Sequence, residues 1–297
     1  MDRLSEGENR NNYLKILKKV EADTVFLAAG RDTVLFCDDS RRDGALRHIS
    51  ENIRFFTENH LNVGVWVQAF GFGDSLNDKC KAVMSGVTKI KSACENESGD
   101  AFCPEDERFM VRYCRMIKDI AKTGTKMVMI DDDLCLSVRP GLGCFGDKHK
   151  RIISNAAGKA LPQNNLPELF FTGESNEWRS AWHKAMKETL VKFCKRVCKT
   201  VDEVDENIRM GFCAGFTSWD IECADALELT KILAGNTKPF LRLTGAPYWG
   251  AKDCNRFDKQ RLHKAVMTKC KLCRIRLKLS LPMMFDIDGG SFTVGLA

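Results

Sequence analysis

No apolar run in this chain of 297 residues approaches the ~20 that a membrane-spanning helix needs. Residues Met1 to Arg10 lack the apolar core of a signal peptide, so a soluble, unsecreted protein is expected. No Gly-x-Gly-x-x-Gly turn follows any predicted strand, which argues against a dinucleotide-binding sheet. The most basic stretch is poor in aromatics. Between Lys252 and Lys278 ten Lys or Arg face two Asp, a local excess of +8, with Phe257 as the single aromatic. The rest of the chain sums to −2, so the net charge of +6 is a local feature. A nucleic-acid surface would interleave bases and aromatics, and none is expected here. Glutamate is missing altogether after Glu228.

What is present is ordinary for a globular protein, with 44% hydrophobic and 29% charged residues. That length and composition can bury a sizeable core, and a single domain over 1–297 is expected, with 279–297 an atypical tail. Fourteen cysteines are scattered through amphipathic segments. In a long chain this favours reduced thiols and a cytoplasmic setting, with room for a metal site. Cys270 and Cys273 have CxxC spacing without a second pair nearby, which reads as two thiols on a basic helix.

Helical periodicity puts Leu46, Ile49, Ile53 and Phe56 on one face, and likewise Phe109, Tyr113, Met116 and Ile120. A third face runs through Trp182, Met186, Leu190, Phe193, Val197 and Val201. Between the helices lie short runs with strand character: Thr24 to Ala28, Val63 to Ala69, Lys126 to Ile130, Ile208 to Cys213 and Pro239 to Leu243. Alternating strands and helices predict a parallel sheet covered by helices. The segments after the strands are long and rich in aromatic and polar residues, as at Gln68 to Asp74, Asp131 to Gly146, Gly215 to Asp220 and Thr244 to Trp249. Such loops line the mouth of a TIM (β/α)8-type barrel, which is the expected fold. The tail from Leu279 reads as one short strand and a turn, so about six of eight units are expected.

Three consecutive carboxylates, Asp131, Asp132 and Asp133, close the run Lys126 to Ile130 and deliver charge to one edge of the sheet. Trp66, Trp219, Tyr248 and Trp249 fall in or just beyond predicted strands, with Gln68, Asp220 and Arg242 beside them. Aromatic faces stack on sugar rings, while amides, carboxylates and guanidinium groups bond the hydroxyls, so a carbohydrate ligand is expected. Glycoside hydrolysis needs two carboxyl groups across the scissile bond. Asp133 can supply the first.

The order Ala101-Phe-Cys103-Pro-Glu, then Met129-Ile-Asp-Asp-Asp133, then Gly143-Cys-Phe-Gly-Asp-Lys-His149, then Glu177-Trp-Arg-Ser-Ala-Trp182 resembles the family 42 glycoside hydrolases. Those are β-galactosidases of the TIM-barrel superfamily. The resemblance covers roughly residues 45 to 205. It implies that the family's acid/base Glu falls on Asp133 and its preceding Asn on Asp132, with Asp131 adjoining. Asp is one methylene shorter than Glu, and a shortfall of that size can cost ~100-fold in rate. The resemblance also implies a structural zinc site at Cys103, Cys144 and His149, with Gly146 at the fourth position. No cofactor is required for the chemistry. The family's nucleophile, a Glu at the end of the seventh strand, has no counterpart here, and Asp220 or Asp286 is left for that role.

Two other classes stay open: a non-catalytic carbohydrate-binding barrel or a fragment of a larger glycosidase, and a metal-dependent hydrolase using Asp131 to Asp133 with His149. Against the last, His48, His60, His149, His183 and His263 do not cluster at predicted strand ends. An oligomer is compatible with all three.

Overall fold

The computed structural model describes residues 7–29, 34–37, 40–71, 82–94, 97–138, 141–215, 223–244, 283–286 and 293–296. In chain order the elements are α1 (Gly7–Lys19), β1 (Thr24–Ala29), α2 (Ser40–Glu58), β2 (Asn62–Val67), β3 (Lys89–Lys91), β4 (Glu97–Phe102), α3 (Glu107–Ala121), β5 (Met127–Ile130), β6 (Ser137–Val138), β7 (Gly141–Leu142), α4 (Asp147–Ala157), α5 (Leu166–Phe171), α6 (Glu177–Asp202), β8 (Arg209–Gly215), α7 (Ala226–Ala234), β9 (Phe240–Thr244), β10 (Met283–Asp286) and β11 (Thr293–Leu296).

All five predicted strands form. They lie side by side in a seven-stranded sheet of order β1-β2-β5-β8-β9-β10-β11, parallel throughout except for the final pair. The tail differs from expectation, since it forms two short strands, β10 and β11, paired antiparallel. Two small hairpins, β3 with β4 and β6 with β7, were not legible as strands because each is short and lies inside a loop.

The alternation of side chains along the strands divides the apolar residues into two clusters. Val65, Val67, Val128, Ile130 and Phe212 face the helices, where they join Phe109, Tyr113, Met116 and Ile120 of α3 and Phe193 and Val197 of α6. Tyr113 and Phe193 are 5.0 Å apart between ring centroids, and Phe193 lies 4.7 Å from Phe70, edge to face. Each such large side chain contributes about 1.5–3 kcal/mol on burial. The Tyr113 hydroxyl is kept satisfied by donating to the Gln68 carbonyl at 2.8 Å.

On the opposite, inner face, Met129, Cys213 and Phe240 pack with Phe26, Trp66 and Met127. Two rings need glycines opposite them. A Cβ on Gly64 would stand 2.3 Å from the Phe26 ring, and one on Gly211 2.4 Å from Phe240. The rings of Phe26 and Phe240 therefore fill the interior 5.9 Å apart and close its floor.

The helices over the outer face are capped by local side chains. Asp106 accepts the Arg108 N–H at 2.9 Å at the start of α3, and Asn176 accepts the Arg179 N–H at 2.9 Å at the start of α6. Asp106 also accepts from Thr88 N at 2.7 Å, tying α3 to the hairpin before it. Burial alone would raise its pKa, and these bonds together with the Arg108 guanidinium reverse that and hold the carboxyl well below the usual range.

Candidate active site

Strand register sets the rows of the inner face, from the floor toward the carboxyl edge. Trp66, Met129, Gly211 and Phe240 pair in sequence across β2, β5, β8 and β9, and Cys213 pairs with Arg242 above them. Asp131 follows β5 directly and continues its inner side; its N–H still bonds the Val67 carbonyl at 2.8 Å. Asp131, Trp66, Cys213 and Arg242 thus meet at one end of the sheet.

Arg242 is buried, lies 5.1 Å from the centre of the Trp66 ring and donates to Cys213 Sγ at 3.4 Å. The ligand atoms of Asp131, Asp132 and Cys213 lie within 4.8 Å of one another. A guanidinium against the thiol already supplies the positive charge there, so this grouping is a poor cation site. Burial, followed by repulsion from Asp132, pushes the Asp131 carboxyl up to about 6. The Asp132 backbone N–H, Arg242 and the Trp66 side chain pull the other way. A carboxyl so tuned is half protonated near pH 6 and can give or take a proton in mildly acidic solution.

One polar atom of this wall is buried without a partner among the described residues, Gln68 Oε1, while the Trp66 indole N–H is directed at the Asp131 carboxyl. Leaving a buried donor or acceptor unpaired costs about 1–3 kcal/mol, so such an atom invites a ligand that pairs with it.

Asp133 stands differently. Its Oδ1 accepts from Ala69 N at 2.8 Å and its Oδ2 from Gly71 N at 2.7 Å. The chain turns sharply after β5, with Leu134 N bonded to the Asp131 carbonyl at 3.2 Å, and this swings Asp133 onto the segment that follows β2. Burial and Asp131 raise its pKa well above the ordinary value, against the two N–H bonds.

Trp219, Asp220, Tyr248 and Trp249 lie outside the described residues. Asp286 ends β10, in register with Thr244 at the end of β9.

The three expected metal ligands do come together, but elsewhere. Cys103, Cys144 and His149 are fully buried, with ligand atoms within 4.8 Å of one another. They lie in the outer cluster, beneath α4 and α6, which separates His149 from the aspartates and removes the basis for a metal-dependent hydrolase built on both. Cys103 Sγ is 3.4 Å from His149 Nδ1, and His149 Nε2 is 3.1 Å from Thr189 Oγ1. The Cys103 thiol hydrogen-bonded to Cys144 stabilises the Cys144 thiolate and lowers its pKa; Cys103 correspondingly keeps its proton. Gly146, at the vacant fourth position, lies beside Cys144, a Cβ there being 3.6 Å from its sulfur. The ten described cysteines are all free thiols.

Thr189, Met186 and Glu105 complete that region and were not singled out from the sequence. Met186 Sδ accepts the Cys144 N–H at 3.2 Å. Glu105, buried, receives Lys192 Nζ at 2.8 Å and sits 3.6 Å from Lys148 Nζ, tying the segment after β4 to α4 and α6. Only its position inside the Cys103-Pro-Glu motif hinted at it.

No protein-family model matches the sequence, and no curated protein matches it either. Solved structures do. The chain is similar to the catalytic domain of a β-amylase from Paenibacillus polymyxa, with a TM-score of 0.64 and 9% identity, over 96% of this chain and 83% of that one. It is similar to a β-galactosidase from the psychrophilic Marinomonas ef1, with a TM-score of 0.66 and 10% identity, over 94% of this chain and 46% of the other. A β-galactosidase from Bacillus circulans sp. alkalophilus gives 0.62 and 11%, over 94% and 42%. The chain thus spans less than half the length of these β-galactosidases. At such identities the likeness shows fold alone: an α/β architecture of the TIM-barrel type, in which the parallel strands β1, β2, β5, β8, β9 and β10 make a partial barrel. Among the described residues no helix is long and apolar enough to cross a membrane.

Proposed function

We propose that this protein is a carbohydrate-active barrel that hydrolyses a β-glycoside, a β-galactoside first among candidates, by carboxylate acid/base catalysis. The observation that carries the reading is the inner wall at the carboxyl edge of the sheet. There a carboxyl raised to about 6 stands with a guanidinium on a tryptophan face, next to an unpaired amide oxygen. A sugar hydroxyl donates as well as accepts, so a ring stacked on an aromatic face can satisfy the Gln68 amide oxygen. The likeness to β-galactosidases and a β-amylase supports the same class at the level of fold.

Retaining hydrolysis would need a second carboxylate about 5–5.5 Å across the scissile bond. Asp286, at the end of the strand after β9, is the first choice for that role and Asp220 the second. A structural zinc ion is proposed at Cys103, Cys144 and His149, where Nδ1 would bind the metal and Nε2 would bond Thr189 as the outer support. It lies away from the reacting groups and serves no step of the chemistry. A reducing cytoplasm fits ten free thiols.

One observation favours a second reading, a sugar-binding barrel without turnover: Asp133, at the acid/base position, has both oxygens bonded to backbone. A panel of nitrophenyl glycosides separates the two. Release of nitrophenol from the β-galactoside, or from another β-glycoside of the panel, is the expected result; saturable galactose binding with no release from any of them assigns the protein to the binding class.

A further inference from the structure

We propose a division of labour within the aspartate triplet: Asp131 is the proton donor facing the ligand, and Asp133 is a positioning residue that fixes the segment after β2. The donor role rests on the glycosidase reading above; the clamp role stands on geometry alone.

The two carboxyls are two residues apart and would share a face had β5 continued. It ends at Ile130, and the turn closed by Leu134 N on the Asp131 carbonyl sends them to different surroundings. Asp131 keeps the inner register, with Trp66 from β2, Cys213 from β8 and Arg242 from β9 around it. Its Oδ1 accepts the Asp132 N–H at 2.8 Å, and among the described residues it takes no second backbone hydrogen bond. Asp133 takes two, one on each oxygen, from Ala69 and Gly71. Ala69 and Phe70, between and beside those amides, are fully buried, and Phe70 packs on Phe109 and Phe193. Asp133 therefore links the end of β5 to the end of β2, next to Trp66 and Gln68, and sets where that wall stands.

A proton donor must turn one oxygen toward the leaving group, and each Asp133 oxygen is already held at short distance by an amide. The charged and titratable groups around Asp131 are Asp132 and Asp133 from its own segment, Cys213, Arg242 and, from α3, Tyr113. Its carboxyl, raised by burial, is protonated in mildly acidic solution. In the reaction Asp131 gives its proton to the glycosidic oxygen as the C1–O bond breaks, and that oxygen keeps the bonding pair. The anomeric carbon takes a new pair from the opposing carboxylate or from water. Where the carboxylate attacked, water then displaces it from C1, its hydroxide joining the sugar and its proton restoring Asp131; where water attacked directly, the opposing carboxylate takes its proton and bulk water reprotonates Asp131.

The test compares Asp131→Asn, Asp133→Asn and Asp133→Glu with the unaltered protein on 4-nitrophenyl β-galactoside and the other nitrophenyl glycosides, with amide hydrogen exchange read at Ala69 and Gly71. Asp131→Asn is expected to lower kcat ~100-fold or more and to abolish the fall in rate as pH rises through about 6, because the donor is gone. It should leave exchange at the two amides unchanged. Both Asp133 variants should speed that exchange about tenfold while the pH limb persists. Asp133→Glu separates the alternatives most sharply, since its added methylene would restore the reach of a true donor at that position. A rise in kcat in Asp133→Glu, retention of rate within threefold in Asp131→Asn, or unchanged exchange in both Asp133 variants overturns the division. If the unaltered protein cleaves no glycoside, the glycosidase reading fails and the donor role with it, while exchange still decides the clamp.

Discussion

The chain gathers titratable side chains in two places, on opposite faces of one sheet. Cys103, Cys144 and His149 sit beneath α4 and α6, sealed by the outer core and each paired with another member or with Thr189. Asp131, Trp66, Cys213 and Arg242 sit on the inner face, at the edge from which the loops leave, with the Gln68 amide oxygen unpaired. The difference lies in what each leaves unsatisfied. A sealed, paired cluster stabilises a fold or holds an ion; an open one with an orphaned acceptor receives a ligand. The sequence motifs resemble a glycosidase family in both places, yet only the inner face has the surroundings of a site for chemistry.

The sharpest way to break this contrast is to damage the sealed cluster. Cys144→Ala should cost about 1–3 kcal/mol of stability, because it removes a buried sulfur and its hydrogen bonds to Cys103 and His149. Urea unfolding reads the loss, and an unchanged midpoint would mean the cluster carries no structural load. In the unaltered protein stripped with a chelator, zinc at a hundredfold over its dissociation constant should restore about 2.7 kcal/mol. Cys144→Ala should lose that response.

The open cluster predicts the opposite sign. Asp131 has a folded-state value near 6 against 3.8 when unfolded, so the native state holds its proton more tightly than the unfolded chain between those values. Its contribution therefore falls as pH rises from about 4 to about 6, by up to ~3 kcal/mol, and stays low above. Asp131→Asn should flatten this part of the pH–stability curve and stabilise the protein at pH 7, as measured by thermal unfolding. Stability that rises over that window, and ceases to rise in Asp131→Asn, would contradict a carboxyl whose burial outweighs its partners.

Gly64→Ala and Gly211→Ala should each cost about 1–3 kcal/mol, since the new methyl meets the Phe26 or Phe240 ring well inside contact distance. Loss of similar size from Gly44→Ala, where nothing lies within 4 Å, would show that the rings are not responsible. The smallest effect is expected from Arg242→Gln. Removing the cation should raise the Asp131 pKa further, because Arg242 draws it down, a change visible by carbon NMR of labelled aspartate.

Strands and packing helices were legible because burial imposes periodicity: Phe109, Tyr113, Met116 and Ile120 announce a helix by spacing, and Val63 to Val67 a strand by branching. The coming together of Cys103, Cys144 and His149 was legible from a resemblance in motif order. The roles within Asp131 to Asp133 were not. They depend on where β5 ends and how the chain turns, and three identical residues carry no record of that. Thr189 and Met186 were hidden for another reason, since each lies on the buried face of a long helix where a single polar or sulfur-bearing residue reads as packing. The β3–β4 and β6–β7 hairpins are too short for alternation to show.

The most direct measurement is carbon NMR of aspartate-labelled protein, titrated with acid and then with galactose. The account predicts an Asp131 carboxyl titrating near pH 6 that shifts on adding the sugar, while the Asp133 signal does not respond to the sugar. An Asp131 titrating at the ordinary 3.8 and indifferent to galactose would contradict it.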